Sequence, residues 1–242
     1  MLLQGGQNIC GYRIGVISLE SYFFKPPGHI KAPATFDFPV SYKIVDVTVD
    51  HLIDRPGPEL IEPFVKAAKE LEAEGCAAIT GSCGFLALYQ RELAEAVSIP
   101  VFISSLIQVP LVYHMLPPGR SVGVMTANRS NLTEKHLEAV GAGGIPVTVV
   151  GMENRTEFAE VILQSKRVDM DSDKIRDELL AEAASLLEKD PTVGAIVLEC
   201  TDMAPYGHAI QQATGLPVFD LTTLTNMVAE AVARKPYPGF NP

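Results

Sequence analysis

The chain has 242 residues, 47% of them hydrophobic, and a formal net charge of −10. This content supports one large domain or two lobes, and the negative charge argues against nucleic-acid or anionic-membrane partners, because both need clustered Lys and Arg. The sequence lacks the roughly 20-residue apolar run of a membrane helix and the apolar core of a signal peptide. We therefore expect a cytoplasmic protein whose cysteines are thiols.

The predicted elements alternate between strand and helix along the chain. Strands are predicted at 13–18, 42–49, 76–80, 101–103, 121–126, 146–150, 195–198 and 218–219. Helices are predicted at 58–74, 85–97, 105–116, 131–140, 173–189, 203–213 and 222–234. Residues 19–41 form a long loop, and loops of that length are often functional. The alternation predicts an α/β fold with parallel sheets and right-handed crossovers.

The sequence also repeats itself. A shift of 117 residues aligns Cys83 with Cys200 and gives nine identities over the 25 positions from 78 to 102. Ser18 and Thr126 end the first strand of each copy. We predict two pseudo-symmetric lobes, each a doubly wound, mostly parallel sheet, with the active site in the cleft between them. The predicted limits are 1–112 plus 218–242 for the first lobe and 113–217 for the second.

Each duplicated cysteine lies where a predicted strand gives way to a helix. The helix macrodipole and free N–H groups at such a junction stabilise a thiolate, so we expect a lowered pKa for both Cys83 and Cys200. Glu199 precedes Cys200 in a strand and is expected to point away from it. Thr201 supplies a hydroxyl donor, and Asp202 either orients Cys200 or stabilises the helix dipole.

The two thiol loops resemble those of the aspartate/glutamate/hydantoin racemase superfamily. Cys200-Thr201 followed by the acidic Asp202 is similar to the second motif of its amino-acid racemases. The resemblance implies a cofactor-free enzyme with two similar α/β lobes, one cysteine from each facing the cleft, and a possible homodimer. The first cysteine of amino-acid racemases is usually followed by Asn and Thr, which help bind the α-carboxylate. Gly84-Phe85 stands here instead, which favours a bulkier or less polar substrate, such as a hydantoin or an arylmalonate-like acid.

We predict a cofactor-independent racemase or epimerase, hence an isomerase, acting at the carbon next to a carboxylate or carbonyl of an amino acid or related compound. Cys83 and Cys200 would serve as thiolate base and thiol acid and exchange roles between enantiomers. Backbone N–H groups and hydroxyls would stabilise the carbanion. The predicted substrate-binding residues are Ser18, Gly84, Phe85, Thr126, Thr201 and Asp202.

Other functions fit the same residues. A decarboxylase or a cis–trans isomerase on this scaffold, similar to arylmalonate decarboxylase or maleate isomerase, is the near alternative. A non-catalytic protein that binds small acids is another, and a Cys–His hydrolase using His208, His114 or His136 is a third. Cys10 and Cys76 are interpreted as small buried hydrophobic side chains. No metal is predicted, because the sequence has neither CxxC nor HExxH.

Overall fold

The computed structural model describes residues 6–7, 9–49, 52, 57, 60–237 and 239. The strands are β1 Ile14–Leu19, β2 Val40–Val45, β3 Ala78–Gly81, β4 Val101–Phe102, β5 Ser121–Thr126, β6 Val147–Gly151, β7 Val193–Leu198 and β8 Val218–Phe219. The helices are α1 Ile61–Ala73, α2 Gln90–Ala96, α3 Val109–Met115, α4 Glu134–Ala139, α5 Thr156–Phe158, α6 Ser172–Lys189, α7 Gly207–Thr214 and α8 Leu221–Val232. Residue 58, the predicted start of the first helix, and most of the N-terminal segment in which no signal peptide is predicted lie outside the described residues.

Within the described residues, the strands form two four-stranded sheets with the same order, β2-β1-β3-β4 and β6-β5-β7-β8. Every strand pairing is parallel. The apolar runs of β1 and β5 are buried throughout, as is typical of central parallel strands covered on both faces. The predicted α/β fold with two similar halves is confirmed. In both sheets the order reverses beside the first strand of the half, where ligands bind in such sheets.

Two helices pack on the sheet of the opposite half. Leu221 and Leu224 of α8 lie in one buried cluster with residues of the first sheet. Val109 and Val112 of α3 lie in a buried cluster with residues of the second sheet. The predicted boundary at residue 218 assigns β8 to the first lobe. In the structure β8 pairs with β7 and so belongs to the second sheet. The other lobe limits stay a prediction.

The segments after the two duplicated cysteines differ from the continuous helices predicted there. Each begins as a 3₁₀ helix, Gly84–Tyr89 before α2 and Thr201–Tyr206 before α7. Pro205 lies inside the second of them and lacks an N–H for a regular helix. The sequence also did not predict α5, which continues into a π-helical turn at Ala159–Leu163. Among the helices that the structure describes, none is long and apolar enough to cross a membrane.

Candidate active site

The duplicated cysteines line one small cavity at the ends of β3 and β7. Cys83 and Cys200 are 9% and 8% exposed, and the cavity has a volume of about 30 Å³. The pair therefore comes together as the repeat predicts. The other lining residues are Val49, Ser82, Gly84, Phe85, Ala127, Ile162, Leu163, Glu199 and Asp202.

The predicted lowering of the two thiol pKa values is wrong. Burial raises the pKa of Cys83, the Glu199 carboxyl raises it further, and the backbone N–H of Phe85 opposes this only in part. Burial also raises the pKa of Cys200 well above its usual value, with Asp202 and Glu199 adding to the effect. Burial and the two carboxyl groups favour the neutral thiol, and they outweigh the hydrogen bonds from backbone N–H groups at the start of each 3₁₀ helix.

The two thiols have different partners. The Cys200 thiol donates to Oδ2 of Asp202 at 3.2 Å, and Nε2 of His29 lies 2.6 Å from Oδ1 of the same carboxyl. The backbone N–H of Lys31 donates to Nδ1 of His29 at 2.9 Å, so Nε2 carries the proton and donates to Asp202. Burial raises the pKa of Asp202, but His29, the Cys200 thiol and Lys31 outweigh it and hold the pKa below its usual range. Asp202 is therefore a carboxylate that accepts the hydrogen bond of the Cys200 thiol.

Sequence reasoning missed His29. It is 1% exposed and lies in the long loop before β2. The sequence marks residues 19–41 as functional by their length, but no spacing connects His29 with a residue 173 positions away.

Glu199 faces the cavity, contrary to the prediction that it points away. The chain leaves the pleat of β7 after Leu198, so strand alternation no longer sets the direction of this side chain. Thr126 Oγ1 donates to its Oε2 at 2.7 Å, and the backbone N–H of Ala127 lies 3.4 Å from the same oxygen. Burial raises the pKa of Glu199 to about 7, although these two hydrogen bonds oppose the shift.

All three predicted binding hydroxyls donate to acceptors within the protein. Ser18 donates to the carbonyl of Leu19 at 3.2 Å, and Thr201 donates to the carbonyl of Ser82 at 2.8 Å. Thr126 donates to the buried carboxyl described above. These bonds do not fit the predicted direct donation to a substrate. The predicted binding residues that do line the cavity are Gly84, Phe85 and Asp202.

Two lysines of the long loop bring positive charge towards the site, and the sequence did not single them out. Lys31 Nζ donates to the carbonyl of Leu19 at 2.6 Å. Burial lowers the pKa of Lys31, and the nearby Asp202 and Cys83 oppose the shift. Burial and the charge of Lys31 lower the pKa of Lys25 to about 8. Although the protein has a net charge of −10, these two lysines supply local positive charge that would attract an anionic ligand.

A pair of parallel-sheet lobes with a thiol at the corresponding strand end of each defines a cleft of the racemase type. The chain belongs to the Asp/Glu/hydantoin racemase family, whose family model matches residues 65–228. The superfamily resemblance is confirmed.

The comparisons also relate the chain to lyases. It is 31% identical to dimethylsulfoniopropionate lyase 7 of Emiliania huxleyi (strain CCMP1516), covering 96% of this chain and 71% of that protein. It is 26% identical to the dimethylsulfoniopropionate lyase of Durusdinium sp. clade D, covering 97% and 79%. The structure of unliganded arylmalonate decarboxylase matches with a TM-score of 0.58 at 17% identity, covering 94% of this chain and 96% of that one, which supports the fold alone.

The prediction of a racemase, and so of an isomerase, is wrong. Relatives that match nearly the whole chain are lyases, a class closer to the decarboxylase alternative. The resemblance identified the superfamily correctly, but it did not identify the reaction.

Proposed function

We propose that this chain is a lyase that cleaves dimethylsulfoniopropionate, or a close β-sulfonio carboxylate, into a thioether and an unsaturated acid. The names of the relatives above support the substrate class. The observation that carries the reaction type is the inequality of the two thiols. Cys200 has a carboxylate acceptor that is held by His29, whereas Cys83 lies beside Glu199, whose pKa burial raises to about 7.

Elimination needs a base on one face of the substrate only. When the cationic sulfonium group occupies the cavity, its charge offsets the raised pKa of Cys200. Cys200 then passes its proton to Asp202 in an uphill step, which leaves a thiolate beside the carbon next to the substrate carboxylate. The thiolate removes a proton from that carbon, and the C–H electron pair becomes the carbon–carbon double bond. The bond from the neighbouring carbon to the sulfonium sulfur breaks with its electrons on sulfur. The products are neutral dimethyl sulfide, acrylate and one proton, which Asp202 releases to water.

The remaining groups fit a small zwitterion with a carboxylate at one end. Lys31 and Lys25 attract the carboxylate, and the raised pKa of Cys83 keeps its thiol as a hydrogen-bond donor on the opposite wall. Phe85 supplies an aromatic face, which attracts cations such as a sulfonium group. Racemisation would instead need matched acid and base groups on two faces.

The test is incubation of the purified protein with dimethylsulfoniopropionate. Dimethyl sulfide is measured by headspace gas chromatography and acrylate by proton NMR. We expect Cys200→Ser and Asp202→Asn to lower kcat by about 10²- to 10⁴-fold, the usual contribution of a positioned base. Cys10→Ser is the matched control and should leave kcat unchanged. The prediction that Cys10 is buried is wrong, because it is a free thiol exposed to solvent.

Two outcomes would overturn the proposal. One is the absence of acrylate under conditions in which the protein binds the substrate, which would favour the non-catalytic binding protein. The other is full activity in Cys200→Ser.

A further inference from the structure

The two carboxyl oxygens of Glu199 are bonded unequally. Oε2 is approached by Thr126 Oγ1 and the N–H of Ala127. Oε1 is buried and has no hydrogen-bond partner among the described residues. Glu199 is 0% exposed and lines the cavity. A buried polar oxygen without a partner is costly and calls for an explanation, such as a ligand that completes its hydrogen bonding.

Gly84 makes room for this carboxyl group. A Cβ at position 84 would lie 2.1 Å from Oε1 and 2.3 Å from the main-chain carbonyl oxygen of Glu199. The Asn that the resemblance implies for amino-acid racemases at this position would therefore not fit beside Glu199. The carboxyl group of Glu199, which comes from the other half of the chain, fills the space that a side chain at position 84 would need.

The surroundings of Glu199 favour its neutral form. Burial is the largest influence on its pKa, and Asp202 raises the pKa further. Both hydrogen-bond donors lie on Oε2, so the proton of the neutral acid belongs on Oε1. The π-helical turn contributes the apolar Ile162 and Leu163 to the cavity wall. Among the described residues, the titratable and charged groups around the cavity are Cys83, Cys200 and Asp202, with Lys25, His29 and Lys31 of the long loop acting on Asp202.

We propose that Glu199 binds the substrate carboxylate as a neutral acid, with Oε1–H donating a hydrogen bond to one carboxylate oxygen. This assignment rests on the proposed function. As the proton leaves the neighbouring carbon, negative charge grows on that oxygen, and a donor already in place stabilises it. The glutamic proton stays on Glu199 throughout, so the residue binds and polarises without exchanging protons.

Propionate is the probe, because it has the carboxylate but no leaving group. Its binding is measured by titration calorimetry from about pH 6 to about pH 9, a range chosen to span the pKa of Glu199 and of Lys25. In the wild type we expect an affinity that falls by up to about tenfold per pH unit above about pH 7, the limit for one linked proton. Glu199→Gln places an NH₂ donor at Oε1 and keeps an acceptor for Thr126. It should bind as well as the wild type below pH 7 and lose the decline that begins near pH 7.

Lys25 titrates in both proteins, so the difference between their profiles isolates Glu199. Glu199→Leu, checked for folding by circular dichroism, should weaken propionate binding at least about tenfold at every pH, the loss of a strong hydrogen bond. The assignment fails if Glu199→Gln keeps the wild-type pH profile or binds more than tenfold worse below pH 7. It also fails if folded Glu199→Leu binds propionate normally.

These outcomes are separate from those for the proposed function. Propionate binding needs no turnover. A wild type that forms no acrylate but shows the expected pH profiles of propionate affinity would therefore overturn the lyase proposal and support Glu199 as a carboxylate-binding acid. An active lyase in which Glu199→Gln keeps the wild-type pH profile of propionate binding would do the reverse.

Discussion

Two buried groups, Glu199 and His136, make the free energy of unfolding depend on pH in opposite directions, and the substitution Glu199→Gln distinguishes their contributions. Burial raises the pKa of Glu199 from 4.5 to about 7, so the folded state binds this proton more tightly than the unfolded chain does. Burial lowers the pKa of His136 from 6.5 to about 4, so the folded state binds that proton less tightly. We predict that Glu199→Gln removes the pH dependence due to Glu199 and leaves the pH dependence due to His136.

The signs and sizes follow from linkage. A raised carboxyl pKa contributes stability below the unfolded pKa and loses it as the pH rises through the folded one, here by about 3 kcal/mol between pH 4.5 and about 7 at about 1.36 kcal/mol per pKa unit. The depressed pKa of His136 adds about 3 kcal/mol as the pH rises from about 4 to 6.5. The two contributions oppose each other in the wild type between about pH 5 and about pH 6.5. In Glu199→Gln the free energy of unfolding should gain up to about 1.4 kcal/mol per pH unit relative to the wild type.

The assay is urea unfolding of both proteins, followed by circular dichroism at intervals from about pH 5 to about pH 7.5. Glu157→Gln is the matched control, because Glu157 is also buried. Burial raises the pKa of Glu157, but Arg167 and a backbone N–H outweigh it and hold the pKa below 4.5. This control should lower stability without changing its slope above about pH 5. A constant difference between Glu199→Gln and the wild type over this range would refute the protonated state of Glu199.

Three further predictions use the same packing. Gly84→Ala should lower the free energy of unfolding by about 1–3 kcal/mol, because its Cβ would meet the main-chain oxygen of Glu199; unchanged urea stability would contradict that packing. Thr201→Val should cost about 1–3 kcal/mol in thermal unfolding, because the Ser82 carbonyl loses its donor, and an unaltered melting temperature would count against this bond. Iodoacetamide at neutral pH should modify the exposed Cys10 before either site thiol, as followed by peptide mass spectrometry; earlier labelling of a site thiol would contradict the raised pKa values.

The error over reaction class has a chemical origin. Racemisation and β-elimination share their first step, the removal of a proton next to a carboxylate by a base. Cys83 and Cys200 mark that step in the sequence, but the fate of the electron pair depends on the substrate's leaving group. The asymmetry between the thiols lies in Asp202 and His29, and its consequence appears only when the hydrogen bonds that Cys200 and His29 donate to Asp202 are known.

Local pattern and repetition were enough to predict the architecture. Apolar runs and their spacing predict the alternation of strands and helices, and the 117-residue repeat predicts two similar halves. Because parallel strands end on one side of a sheet, the placement of Cys83 and Cys200 after β3 and β7 was also predictable. The ends of the helices and strands were less predictable. Pro205 and the i to i+3 hydrogen bond from Met203 N to Cys200 O make a 3₁₀ helix where the sequence predicts the start of an α-helix.

Tertiary structure alone decided the electrostatics of the site. His29 and Asp202 are 173 positions apart, and Glu199 turns into the cavity only because the strand pleat ends before it. The packing of α3 on the second sheet and of α8 on the first was likewise decided by tertiary structure. It depends on which apolar surfaces are left uncovered once both halves fold. The sequence by itself determined which chemical groups stand at the strand ends, since that depends on local periodicity. Their pKa values and partners depend on burial and on residues distant along the chain, and only the folded structure determines these.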